Sequence, residues 1–174
     1  MEFMRDFVLI ILLCMVSSIL FGVLHNQISA RVSLEYFTIG HRALIHSTSP
    51  TLMGIAWGVN STWWVGLILG VMLASCGRIG HRNRRSPASL VKPLAILFAV
   101  CGTASIVMGV TGYELVKTGE LPFLRGMADV ISPPRQARYM AALWMHIASY
   151  TAAAMGGLIL AVRVAFQRTE AGKV

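Results

Sequence analysis

The densest chemistry in the 174-residue chain lies between positions 25 and 46, where His25-Asn26-Gln27 is followed by Glu35-Tyr36-Phe37, His41 and His46. Several imidazoles beside a carboxylate are ligand types for zinc and other divalent metals. No pair has the i, i+4 spacing of an H-E-x-x-H helix and no C-x-x-C stands nearby, so His25, His41 and, far along the chain, His146 are weak metal candidates. His25 and His146 could also serve as the two axial ligands of a haem inside a helical bundle, or, joined by His41 and Glu35, hold a metal or quinone. Cys14, Cys76 and Cys101 form an odd set without metal spacing and read as small apolar residues. The Asn60-Ser61-Thr62 sequon sits within an apolar run, where it has no consequence.

The elements that must position these residues are membrane spans. With 56% hydrophobic and 13% charged residues and a mean hydropathy of +0.68, the chain has too little polar surface to coat a soluble globule. The expected fold class is an all-α membrane protein, a single domain over residues 1–174 with four transmembrane helices in an up-down bundle. A span needs roughly 20 apolar residues. Residues 7–24, 51–75, 93–116 and 139–166 supply them, leaving outer loops at 25–50 and 117–138 and a cytoplasmic loop at 76–92. The later three spans each follow a Ser-Pro pair, Ser49-Pro50, Ser86-Pro87 and Ser132-Pro133, where serine can cap and proline fits the first turn. Gly77 and Gly119 are the expected stops of the second and third spans. The first run follows Arg5 but is too long for a signal peptide and lacks an A-x-A-like site, so it reads as an uncleaved anchor.

Orientation follows from Lys and Arg. Arg5, the loop cations Arg78, Arg82, Arg84, Arg85 and Lys92, and Arg163, Arg168 and Lys173 put nine on one side, against six on the other. The densest cluster occupies the shortest connection, which should therefore be cytoplasmic together with both termini. The net charge of +8 is thus a matter of topology, and no nucleic-acid partner is expected. At about 1.5 Å per residue, His25, Tyr113 and Glu114 fall at the outer edge of their spans and His146 about one turn below it. On the fourth span Tyr139, Ala142, His146, Tyr150, Ala153 and Gly157 share one stripe; on the second, Gly54, Gly58, Ser61 and Val65 share another with Asn60 beside it, and the outer halves of the two should meet. Gly54-x-x-x-Gly58, Gly66-x-x-x-Gly70 and Ser105-x-x-x-Gly109 are close-packing motifs. Trp57 and Trp144 suit an aromatic belt, whereas of Trp63 and Trp64, nearer mid-bilayer, at most one lines an interior cavity. In the first outer loop, Val32, Tyr36, Ile39 and Ala43 fit a helix while Val32, Leu34 and Tyr36 alternate as in a strand, and both readings stay open. In the second, Leu121, Leu124, Ala128 and Ile131 predict an amphipathic helix.

The segments His25-Asn26-Gln27-Ile28-Ser29, Ser33-Leu34-Glu35-Tyr36-Phe37-Thr38, Thr62-Trp63-Trp64-Val65-Gly66 and Trp144-x-His146-x-x-Ser149-Tyr150 resemble a group of uncharacterised small bacterial four-helix membrane proteins. The resemblance covers most of the chain except the second outer loop and the C-terminal tail; it implies the bacterial cytoplasmic (inner) membrane and four helices but no activity. Leu34 stands where that group has a proline. A polar residue at membrane depth costs several kcal/mol if unpaired, which makes it a functional candidate, although His146 could also be satisfied by Tyr150, a loop carbonyl or water. The leading expectation is a non-enzymatic binding or accessory protein with a polar site at the outer face, built from His25, Glu35, Tyr36, His41, Asn60, Glu114, His146 and Tyr150. The alternatives are a membrane redox protein holding haem, metal or quinone, and a small oligomeric transporter. No cofactor is expected; the bilayer is the expected partner, with another membrane protein or a second copy as further candidates.

Overall fold

The computed structural model describes residues 2–79 and 84–167; Arg82, Arg168 and Lys173 of the orientation count lie outside them. The elements are α1 (Glu2–Val32), α2 (Glu35–Thr38), α3 (Pro50–Arg78), α4 (Ala88–Lys117), a single 3-10 turn at Arg125–Met127, and α5 (Pro133–Phe166). Four of them, α1, α3, α4 and α5, are long and apolar enough to cross a membrane. At 29 to 34 residues each they run about 45–50 Å, well beyond the roughly 30 Å hydrocarbon core.

That excess length corrects the expected boundaries. The apolar run of α1 stops at Leu24, yet the helix continues to Val32, because His25, Asn26, Ser29 and Ala30 are buried against protein. Residues that read as loop chemistry are helical core. Serine capping is realised only at α3, where Ser49 Oγ accepts from the Leu52 N–H at 3.4 Å; Pro87 takes the N-cap position of α4 and Ser132 makes no cap bond. Pro93, expected at the start of a span, lies inside α4. Gly77 is helical and does not end α3, whereas Gly119, at φ +80°, ends α4 in the left-handed region that a Cβ disfavours. The first long loop contains helix α2 rather than a strand among the described residues. The amphipathic helix expected over Leu121–Ile131 reduces to the 3-10 turn, and of its four apolar positions only Ile131 is buried.

Packing falls mainly into two helix pairs, α1 with α3 and α4 with α5. The α3 glycines make the first pair. A Cβ on Gly58 would lie 2.5 Å from Val23 Cα, one on Gly66 2.6 Å from Met15 Cα, and one on Gly70 2.7 Å from Ile11 Cα. The glycine stripe therefore faces α1 and not α5 as expected; at that level the Ser61 carbonyl, which accepts from the Tyr150 hydroxyl at 3.3 Å, ties α3 to α5. Two buried clusters fill the bundle. One gathers Ile10, Leu73, Leu90, Leu94, Leu160 and Val164 near the basic loop. The other gathers Ala30, Tyr36, Phe37, Met53, Ile131 and Tyr139, and so seats both long loops at one end of the molecule, called the loop end below.

The basic end carries an ion pair that the charge count did not reveal. Arg78, 5% exposed, pairs with Asp6 at 3.1 Å, donates to the Arg85 carbonyl at 2.8 Å and covers the Phe3 ring. Removing one partner of such a pair strands the other's charge. Asp6→Ala leaves the more deeply buried charge unpaired and should cost about 3 kcal/mol, more than Arg78→Gln, since Asp6 keeps some access to water. Unfolding in detergent, monitored by loss of helical circular dichroism, ranks the two variants.

Candidate functional site

Four elements converge at the loop end. α1 contributes His25 and Asn26, α3 contributes Trp57, Asn60, Ser61 and Trp64, α5 contributes His146 and Tyr150, and α2 lays Tyr36 and Phe37 over them. The histidines of α1 and α5 meet edge to face with centroids 4.7 Å apart. Tyr36 stacks on His146 at 4.5 Å and touches His41 at 4.6 Å, and the His41 Nδ1–H donates to the Tyr36 carbonyl at 2.8 Å. A four-residue helix thus becomes the cover of a buried imidazole pair.

The hydrogen bonds around that pair are unbalanced. His25 Nε2 pairs with Ser105 Oγ at 2.8 Å. His146 Nδ1 faces the Ala142 carbonyl at 2.7 Å, and its Nε2 faces Asn26 Oδ1 at 2.9 Å. The Asn26 amide is oriented by its own donation to the Gly22 carbonyl at 2.9 Å. Both partners of His146 are therefore acceptors, whereas a neutral imidazole has one N–H. Only one of the two contacts can therefore be a hydrogen bond of the neutral ring, and Asn26 Oδ1 also accepts from Ser29 Oγ at 3.4 Å.

Two chambers adjoin it. The wider, 270 Å³, is walled by Tyr36, Phe37, His41, Trp57, Asn60, Ser61, Trp64 and Tyr150, with Asn26 and His146 at its floor. It contains no Lys, Arg, Asp or Glu. The narrower, about 30 Å³, shares Asn26, Ser61, His146 and Tyr150 and extends past Ser18, Thr62 and Ser149. That volume holds a water molecule. Trp57, which lines the first chamber, and Ser18, which lines the second, each carry a buried polar atom, Nε1 and Oγ, without a hydrogen-bond partner. Buried polar atoms are almost always paired, so both fit a water or ligand as partner.

Of the residues singled out from sequence, Tyr36, His41, Asn60, His146 and Tyr150 line the wide chamber, and His25 supports it from the narrow one. Glu35 and Glu114 stand apart. Glu35 accepts from Ser33 Oγ at 3.0 Å and pairs with Arg135, clamping α2 to the start of α5; Glu114 pairs with Lys117 at 3.6 Å. Asn26, Phe37, Trp57, Ser61 and Trp64 complete the wide chamber and are not among the residues expected to build it. Trp57 is a wall of the site rather than a belt residue, and Trp64 is the member of the Trp63-Trp64 pair that lines a cavity. The neighbour relation of Asn26 to His25 was the available signal. Among the described residues no three His, Cys, Asp or Glu side chains are grouped to share a metal. Haem ligation by His25 and His146 does not fit either, because rings in edge contact leave no room for a porphyrin between them.

The α2 clamp should respond to pH. Burial would raise the Glu35 carboxyl, but its own backbone N–H, the Ser33 hydroxyl and the Arg135 guanidinium together hold it below its ordinary 4.5. A value lowered by folding gives stability that is present above 4.5 and lost as pH falls through the folded value. Docking of α2, followed by tryptophan fluorescence, should loosen below pH 4.5, and Glu35→Gln should flatten that transition. Burial also pushes the Tyr36 phenol up, so it remains a neutral hydroxyl throughout.

No family model, curated protein or solved structure matches the chain.

Proposed function

We propose that this chain is a multi-pass protein of the bacterial cytoplasmic membrane, an up-down bundle with both termini inside, whose outward-facing wide chamber binds a small uncharged ring-bearing molecule. The observation that carries the reading is an aromatic chamber without formal charge, one wall of which, Trp57, holds an unpartnered N–H. Aromatic walls favour a flat ring, stacked or edge-on. Without lysine or arginine an anion finds no counter-charge, and without a carboxylate a cation finds only ring faces. A carbonyl on the ligand could accept from Trp57 while the free Asn60 amide reaches a second polar group. A quinone ring, flat and uncharged with two carbonyl acceptors, belongs to this class, which keeps a redox role as the second reading. The outward orientation is supported by the basic loop at the opposite end and by both long loops packing together at this one.

Benzamide and benzoate separate the chemistry, since they share a shape and differ in charge. In saturation-transfer NMR on the detergent-solubilised protein, benzamide should receive saturation and benzoate should not. Trp57→Phe keeps the ring and deletes the N–H, and should weaken benzamide binding about fivefold to tenfold, the worth of one hydrogen bond. Equal transfer to both probes, or an unchanged Trp57→Phe, would count against the reading.

A further inference from the structure

We infer that the groove between α4 and α5 at the basic end is a binding site for one anionic phospholipid. The groove measures 390 Å³ and has a divided chemistry. Its mouth carries Arg85, Lys92 and Arg163, with no Asp or Glu anywhere in its lining. Among the described residues, the ion pairs are Arg5–Asp6, Arg78–Asp6, Lys117–Glu114 and Arg135–Glu35, so none of the three mouth cations has an acidic partner. Asp6, an acid of the same end, is already held by Arg78. Arg85 is fixed at the mouth by donating to the Gln167 carbonyl at 3.2 Å.

Below the cations the walls are aliphatic. Ile96, Val100 and Ile159 are 54%, 54% and 66% exposed, and all three lie on helices long and apolar enough to span a membrane. A basic mouth over an apolar channel, at the depth where headgroup meets acyl chain, matches an amphiphile with a phosphate and a hydrocarbon tail. The guanidinium groups can take phosphate oxygens in paired hydrogen bonds while Lys92 adds a point charge. A second groove, at the loop end, makes the contrast: Arg31 and Arg138 there are accompanied by Glu114, and the charge is mixed. The acid-free mouth is what selects a single anionic headgroup.

The full chain, purified and examined by native mass spectrometry in mixed micelles, tests this. With equal phosphatidylglycerol and phosphatidylcholine, one phosphatidylglycerol should be retained at least tenfold in preference. Arg85→Gln, Lys92→Gln and Arg163→Gln together should abolish the preference, with helical circular dichroism reporting that the variant folds. Ile159→Trp, which fills the channel and keeps every cation, should lower retention independently and guards against a misfolded triple variant. Equal retention of the two lipids, displacement by inorganic phosphate, or retention unaffected by Ile159→Trp would overturn the lipid assignment. Persistence of the preference in the triple variant, or a co-purifying protein in place of lipid, would overturn it as well.

Discussion

Gly58→Leu should leave little assembled protein. A Cβ at this position meets Val23 Cα at 2.5 Å, Val23 N at 2.7 Å and the Gly22 carbonyl carbon at 2.9 Å, all backbone atoms that cannot rotate away. Overpacking a side-chain contact costs about 1–3 kcal/mol; here the whole of α1 must retreat, and with it His25, Asn26 and the imidazole pair. Helix association in lipid rests on close van der Waals approach and has no apolar driving force to replace it. Gly102→Ala is the control, because its Cβ would find only the Phe21 ring at 3.8 Å, an ordinary contact. Thermal unfolding and size-exclusion profiles in detergent should show aggregation or loss for Gly58→Leu and a midpoint within error of wild type for Gly102→Ala.

His146→Leu should reduce benzamide binding at least tenfold and lower stability by about 2–4 kcal/mol. The substitution leaves the buried Asn26 oxygen only the long 3.4 Å bond from Ser29 Oγ in place of its 2.9 Å partner, a loss of about 1–3 kcal/mol. It also removes the ring on which Tyr36 stacks at 4.5 Å, worth about 0.5–1.5 kcal/mol, so the cover of the chamber loses its seat. Adding Asn26→Leu removes the under-bonded partner, and the double variant should recover part of the lost stability while binding stays lost. Recovery of both would make the polar pair merely structural. His46→Ala, an exposed loop histidine away from the wide chamber, should change neither quantity.

How far the sequence foretold this arrangement depends on what each residue packs against. The four helices were legible because long apolar runs have no other solution in a bilayer. Gly119 was legible because its conformation is local. The depth count put His25 and His146 at similar levels, and they do meet. The ends of the helices were not legible: hydropathy marks where lipid stops, whereas α1 continues for a further eight residues past Leu24 against protein. The partner of the α3 glycine stripe was also hidden, since a small-residue face does not say which helix approaches it. Four residues of helix leave no periodicity to read, so the seating of α2 over His146 and the tie of Glu35 to Arg135 emerge only from the tertiary fold. The Asp6–Arg78 pair was invisible for the same reason, its members standing 72 positions apart.

The most direct test of the central claim is photoaffinity labelling of the folded protein with 4-azidobenzamide, followed by peptide mapping. Binding in the wide chamber predicts adducts concentrated on residues 36–41, 57–64 and 146–150, protected by excess benzamide and absent from His146→Leu. Adducts spread over the exposed apolar surfaces of α4 and α5, or unprotected by benzamide, would contradict it.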